Sequence, residues 1–333
     1  MARRDATVDT LRGIACFLLV SLHVVDGDPT TGWHFDYYEE TFLYIRMPLF
    51  AFLSGLVYAW RPLTSPDGYG DFMSKKVRRV LVPYLIFVPL MGIARMVLEP
   101  GSGASNSPLT WLVYSVGPYW FLLATFWVYA VVALADSFGL LNRRWAVGLA
   151  FGVLLAVQVV LNPYDASSFL QFAKATYLGM FFLAGLAATR FGWRNASRRT
   201  VVIVAASAGA LFVATQLQLL GVWDSGWSER QDLVGIALGI AFPLTVLGFG
   251  LSNRFVAWIG HYSYGIFLLH PFMVAGSRAA FESVGVSSTT VRVILVTAVG
   301  LFGSIGVVLV MRRFAIGRIA LGERARRQPQ PVA

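Results

Sequence analysis

The sequence predicts an all-α, polytopic integral membrane protein with about ten transmembrane helices and both termini cytoplasmic. Three observations carry that prediction. Of the 333 residues, 57% are hydrophobic and only 13% charged, with a mean hydropathy of +0.65, far more apolar than a soluble domain of this size. The apolar residues fall in runs close to the roughly 20 that a bilayer core about 30 Å thick takes per helix. Lys and Arg collect in alternate connections, which the positive-inside rule reads as topology.

The runs lie near residues 10–26, 42–60, 80–98, 117–135, 145–161, 169–189, 199–220, 231–250, 254–276 and 291–311. Basic connections hold Arg3 and Arg4; Lys75, Lys76, Arg78 and Arg79; Arg143 and Arg144; Arg190, Arg194, Arg198 and Arg199; and Arg254. The tail adds Arg312, Arg313, Arg318, Arg324, Arg326 and Arg327. The intervening connections are acidic: Asp26, Asp28, Asp36, Glu39, Glu40, Glu99, Asp165, Asp224 and Glu229. A missing or extra span breaks this alternation, so the charges support ten. Residues 1–315 read as one transmembrane domain, and 316–333 as a basic, disordered cytoplasmic tail that anchors topology. No internal repeat and no cleavable signal peptide are expected. The net charge of +10 points to nucleic acid only in a soluble chain, so no nucleic-acid partner is expected. The single cysteine, Cys16, excludes an internal disulfide, and no Cys/His spacing suggests a metal.

The first run holds a pair of ionisable residues. In "DTLRGIACFLLVSLH", Arg12 and His23 are eleven residues apart. At about 100° per residue they share one helical face, about 16 Å apart along the axis. Ionisable groups in a span are costly and face the protein interior or a watery cavity. Taken singly, Arg12 is open to snorkelling and His23 to an interfacial role. Four more groups are placed near the depth of His23: Arg46 in the second run, Arg95 in the third, Lys174 in the sixth and His270 in the ninth. Setting all five against lipid is costly, so a polar central cavity open to the outer side is the favoured arrangement. Snorkelling is the alternative for Arg95 and Lys174.

Five stretches resemble a known family. "DTLRGIACFLLVSLH" is similar to the first-helix signature of membrane-bound acyltransferase family 3, bacterial O-acyltransferases of the glycan O-acetylase type, in which an Arg precedes a His by eleven residues. "RMPLFAFLSGLVYAW" resembles the second-helix block, "RRVLVPYLIF" the start of the third helix, "PYWFLLATF" the Trp-Phe-Leu block and "WIGHYSYGIFLLHPF" the Ser-Tyr…Leu-His-Pro block. They run in family order from residue 9 to about 272. The resemblance implies an O-acyltransferase of the bacterial cytoplasmic (inner) membrane. Such an enzyme moves an acyl group from cytoplasmic acyl-CoA to a hydroxyl of a surface, secreted or lipid-linked saccharide. It maps the family His onto His23, the Arg onto Arg12 and the second-helix Arg onto Arg46. His261 receives no role.

Chemistry then assigns parts. Acyl transfer to a hydroxyl needs a base and a donor for the developing oxyanion. A neutral imidazole suits the first task, so His23 is the expected base, with an acyl-histidine intermediate as the nucleophilic variant. Arg46 suits the oxyanion or the orientation of His23. Asp26, three residues after His23, is placed to orient the imidazole, or is an ordinary loop acid. Arg12, Lys76, Arg78 and Arg79 suit the CoA phosphates, although the cluster also serves topology. Tyr119, Trp120 and Tyr177 are candidates to stack on a sugar, or are interfacial anchors. Arg95, Lys174 and His270 complete the substrate side. Acetyl is the default acyl group; succinyl is the alternative, its carboxylate paired with Arg95 or Lys174. Cys16 reads as packing rather than a thioester relay. The expected partners are acyl-CoA, a saccharide acceptor and membrane lipids, and the assembly is a monomer or homodimer. The rival function is a transporter or flippase for a saccharide or lipid-linked intermediate. It also needs a polar cavity, but commonly shows repeated halves.

Overall fold

The computed structural model describes residues 5–25, 32–98, 107–165, 168–224, 226 and 231–324. Among them every regular element is helical. Lipid enforces this, because a helix satisfies its own backbone and the bilayer offers no partner for a sheet edge. Eight helical stretches are long and apolar enough to cross a membrane.

The first helix, α1 (Ala6–Val25), begins where Asp5 Oδ1 accepts from the N–H groups of Thr7 and Val8 at 3.1 and 3.2 Å, an N-cap. The short α2 (Trp33–Thr41) leads into α3 (Leu43–Tyr58). Next, α4 (Tyr69–Lys76) passes through a π-turn, Val77–Leu81, into α5 (Val82–Leu98). The wider turn resets the face on which Arg78 and Arg79 emerge. There follow α6 (Pro108–Tyr114), α7 (Trp120–Ser137), α8 (Arg144–Leu161), α9 (Phe172–Arg190), α10 (Arg198–Leu219) and α11 (Leu233–Phe249). The single span expected at 254–276 is instead two helices, α12 (Arg254–Gly260) and α13 (Ser263–Ser283), broken at His261 and Tyr262. A second π-turn, Val299–Gly303, joins α14 (Thr289–Ala298) to α15 (Ser304–Met311), and α16 (Ala315–Ala320) follows. The ten expected runs thus correspond to the eight long stretches, the 17-residue α11 and the α12–α13 pair.

The tail expected to be disordered from 316 begins inside α16. Ala320 and Leu321 are buried, and Arg312 Nη2 lies 2.7 Å from Glu323 Oε1. The apolar residues of this segment pack back on the bundle, so the fold continues past that boundary.

Glycines set the closest helix crossings, since only a missing side chain lets backbones meet. A Cβ on Gly13 would lie 2.0 Å from the Val256 carbonyl oxygen, and one on Gly260 1.9 Å from that of Asp9. Gly55 and Gly185 join α3 to α9 in the same way, each 1.9 Å from a carbonyl oxygen, of Phe182 and Phe52. Most of α1 and α7 is buried, whereas α8 and α10 are mostly exposed. The first pair therefore forms the centre of the bundle and the second faces lipid.

A buried staple closes one end. Arg190 donates from Nη1 and Nη2 to Asp136 Oδ1 and Oδ2, both at 2.7 Å, and from Nη1 to the Leu141 carbonyl at 2.9 Å. The Tyr58 hydroxyl donates to Asp136 Oδ2 at 2.8 Å. Other ties gather basic connections at this same end. Asp5 pairs with Arg194, the Tyr264 hydroxyl donates to the Arg79 carbonyl, and Gly322 packs on the backbone of Arg78 and Arg79.

Candidate active site

The stretch "YGIFLLHPF" builds one half of the site. Pro271 has no N–H to offer the carbonyl of Phe267. The His270 ring takes that place, with Nδ1 2.9 Å from Phe267 O and 3.0 Å from Ile266 O. Carbonyl oxygens only accept, so in the neutral ring Nδ1 carries the proton and Nε2 keeps a bare lone pair. Nε2 is buried with no hydrogen-bond partner among the described residues. The ring stacks on His23, with centroids 5.2 Å apart and planes 29° apart.

His23 reaches this stack from the last turn of α1. The carbonyls there have no helical donors of their own. Arg278 supplies them, donating from Nη2 to Val24 O at 2.8 Å and to His23 O at 3.2 Å, a cation at the negative end of the helix. Arg46, buried on α3, does the same for α2. Its Nη2 donates to the Glu39 carbonyl and, at 3.2 Å, to that of Tyr38. The Tyr38 hydroxyl lies 2.7 Å from Ser21 Oγ, two residues before His23. Arg46 thus holds α2, and α2 is tied to the helix that carries His23.

Toward the basic end lies a cavity of about 420 Å³ lined by Arg12, Lys76, Arg79, His261 and Arg312, among others. Arg78 does not line it. Buried Asp9 fixes two of these groups. Its Oδ1 accepts from Arg12 Nη1 at 2.8 Å, and its Oδ2 lies 3.0 Å from His261 Nε2. The Gly13–Gly260 crossing makes this possible by seating the break after α12 against α1. Lys76 Nζ sits 3.2 Å from the Tyr129 ring centroid and 5.1 Å from that of Phe72, a cation–π clamp.

The other sequence-predicted residues are placed as follows. Trp120 is half-buried, and Lys174 Nζ lies 5.0 Å from its ring and 5.7 Å from that of Tyr164. Tyr119 and Tyr177 are fully buried, which corrects their assignment to sugar stacking. Tyr119 donates its hydroxyl to Leu268 O at 2.6 Å, and its ring packs on Phe87 and Phe267. Tyr177 packs on Tyr164 and Phe181, centroids 5.1 and 5.0 Å away. A close-packed core leaves neither ring a free face. Arg95 is half-buried on α5. Cys16 is buried among Val20 and Ile266. Asp26 lies outside the described residues.

Sequence reasoning gave no part to Asp9, Arg278 or the pairing of His261. Asp9 stands three residues before Arg12, and that i,i+3 spacing is a usable signal. The other two contacts join distant segments and have no local signature.

Comparison with known proteins identifies the family. Residues 5–313 match the acyltransferase domain of the acyltransferase 3 family. Nodulation protein NolL of Mesorhizobium japonicum is 24% identical over 197 residues, 58% of this chain and 50% of that one. Nodulation protein NolL of Sinorhizobium fredii is 25% identical over 164 residues, 48% of this chain and 44% of that one. The chain spans about half the length of these curated relatives. No solved structure matches it. Because the family match runs over residues 5–313, nearly the whole chain, the chain belongs to the acyltransferase 3 family.

Proposed function

We propose that this membrane acyltransferase carries an acyl group from cytoplasmic acyl-CoA to a saccharide hydroxyl at the opposite face of the bacterial inner membrane, with His23 as general base. The observation that carries this reading is a cavity with basic walls whose Arg12 stands on the same helix as His23. Read by the positive-inside rule, the basic end is cytoplasmic. Arg12, Lys76 and Arg79 there offer charge-assisted contacts to the CoA phosphates. At the other end Trp120 and Lys174 offer a stacking face and a cation to the acceptor, and Arg95 lies on the neighbouring α5.

In the transfer, His23 takes the proton of the acceptor hydroxyl. The hydroxyl oxygen bonds to the thioester carbon and the carbon–sulfur bond breaks. CoA leaves as the thiolate and recovers that proton as the thiol. His270 holds the His23 ring by stacking and presents the Nε2 lone pair to the same site. Arg46 is a positioning residue, acting on His23 through α2.

Purified protein in detergent, given labelled acetyl-CoA, is expected to release CoA and to label a pool of bacterial saccharides. Arg12→Gln should raise the donor KM about tenfold or more, because one charge-assisted phosphate contact contributes ~1.5–3 kcal/mol, and should leave the acceptor KM unchanged. If no acyl-CoA is consumed while liposomes holding the protein take up saccharide, the transporter reading replaces this one. Cys16→Ala should keep turnover within roughly threefold of wild type, since a buried cysteine behaves as a small apolar side chain. A loss of about a hundredfold would instead make Cys16 a thioester relay.

A further inference from the structure

The cavity ends in the same residue type on three helices. Along α3, which runs toward the basic end, Phe50 is the first residue to line it. Along α7, which runs the same way, Phe121 is first. Along α13, which runs the other way, Phe267 is last. The polar groups of the site stand just beyond. Arg46 precedes Phe50 by one helical turn, and His270 follows Phe267 by three residues.

The three rings close on one another. Centroid distances are 5.9 Å for Phe50–Phe121, 6.2 Å for Phe50–Phe267 and 5.6 Å for Phe121–Phe267. Phe267 lies 6.2 Å from the His270 ring, which stacks on His23. Phe121 and Phe267 are buried, and Phe50 is half-buried. An aromatic collar therefore stands between the basic cavity and the histidine pair. A thioester that reaches His23 from the cavity must bring its acyl group past these rings.

We propose that Phe50, Phe121 and Phe267 select the acyl group: short, uncharged acyl chains, acetyl foremost, are accepted, whereas succinyl and longer chains are rejected. This rests on the acyl-CoA reading of the cavity. A methyl group suits apolar ring contacts. A succinyl carboxylate would lose its water without gaining a partner, against ring faces that carry negative charge density. A longer chain needs volume that close-packed rings already occupy.

The test is a competition assay on the full chain in detergent with acetyl-, butyryl- and succinyl-CoA, using the mass of the acylated saccharide as readout. The dissociation constant of CoA itself is measured in parallel by calorimetry. Wild type should favour acetyl over butyryl by at least about tenfold, in line with what hydrophobic pockets achieve against added methylenes. Phe267→Ala and Phe121→Ala should each raise the butyryl-to-acetyl ratio about tenfold, with CoA binding kept within roughly threefold. Phe121→Leu and Phe267→Leu, which retain apolar packing, should move the ratio in the same direction by less. Equal use of all three donors by wild type overturns the proposal, as does an unchanged ratio in every variant that still binds CoA. If wild type binds no CoA, the donor reading itself fails and the collar falls with it.

Discussion

His23→Ala is expected to lower acyl transfer by about 10²–10⁴-fold, the usual contribution of a positioned general base, while CoA binding is kept. The separation follows from the architecture. Arg12, Lys76 and Arg79 line the basic cavity and His23 does not. A wild-type rate of CoA release in His23→Ala, with saccharide present, removes His23 from the chemistry. His270 adds a second arm to the experiment. Its Nδ1 is committed to the Ile266 and Phe267 carbonyls, which fixes the ring that stacks on His23. Groups that act as one unit show non-additive losses. The His23→Ala/His270→Ala double variant should therefore be no slower than His23→Ala alone. Losses that multiply would instead give the two rings independent roles.

Asp136→Ala is expected to destabilise the protein by about 3–5 kcal/mol, the cost of leaving one member of a buried ion pair without its partner. Arg190 would lose both carboxylate contacts, and the Tyr58 hydroxyl would lose its acceptor. Thermal unfolding in detergent, followed by tryptophan fluorescence, measures the loss. Replacing the pair together, Asp136→Leu with Arg190→Met, should recover most of it, because a buried pair contributes little over well-packed apolar side chains. An Asp136→Ala protein that melts with wild type would show that the staple does not hold the basic end together.

The two predictions differ in how visible their residues are in the sequence. His23 stands out because an ionisable group inside an apolar run is costly, and its spacing to Arg12 follows helical periodicity. Asp136 lies at the end of a run, where an acid is unremarkable. Only its contacts with residues on α3 and α9 reveal what it does. Tyr119 and Tyr177 show the opposite case. Aromatic residues near span ends invite a binding role, yet packing has placed both in the core.

The sequence by itself determined that the chain is helical and membrane-embedded, and in what axial order Arg12 and His23 stand on α1. Those properties come from hydropathy, charge alternation and the helical repeat, all of them local. Only the tertiary structure decided which groups meet. His261 meets Asp9 across 252 residues, and Arg278 meets His23 across 255. Phe50, Phe121 and Phe267 converge from three helices. Such meetings depend on how each helix is rotated about its own axis. That rotation is set where glycines let backbones touch, as Gly13 and Gly260 do between α1 and α12, and no single run of sequence encodes it.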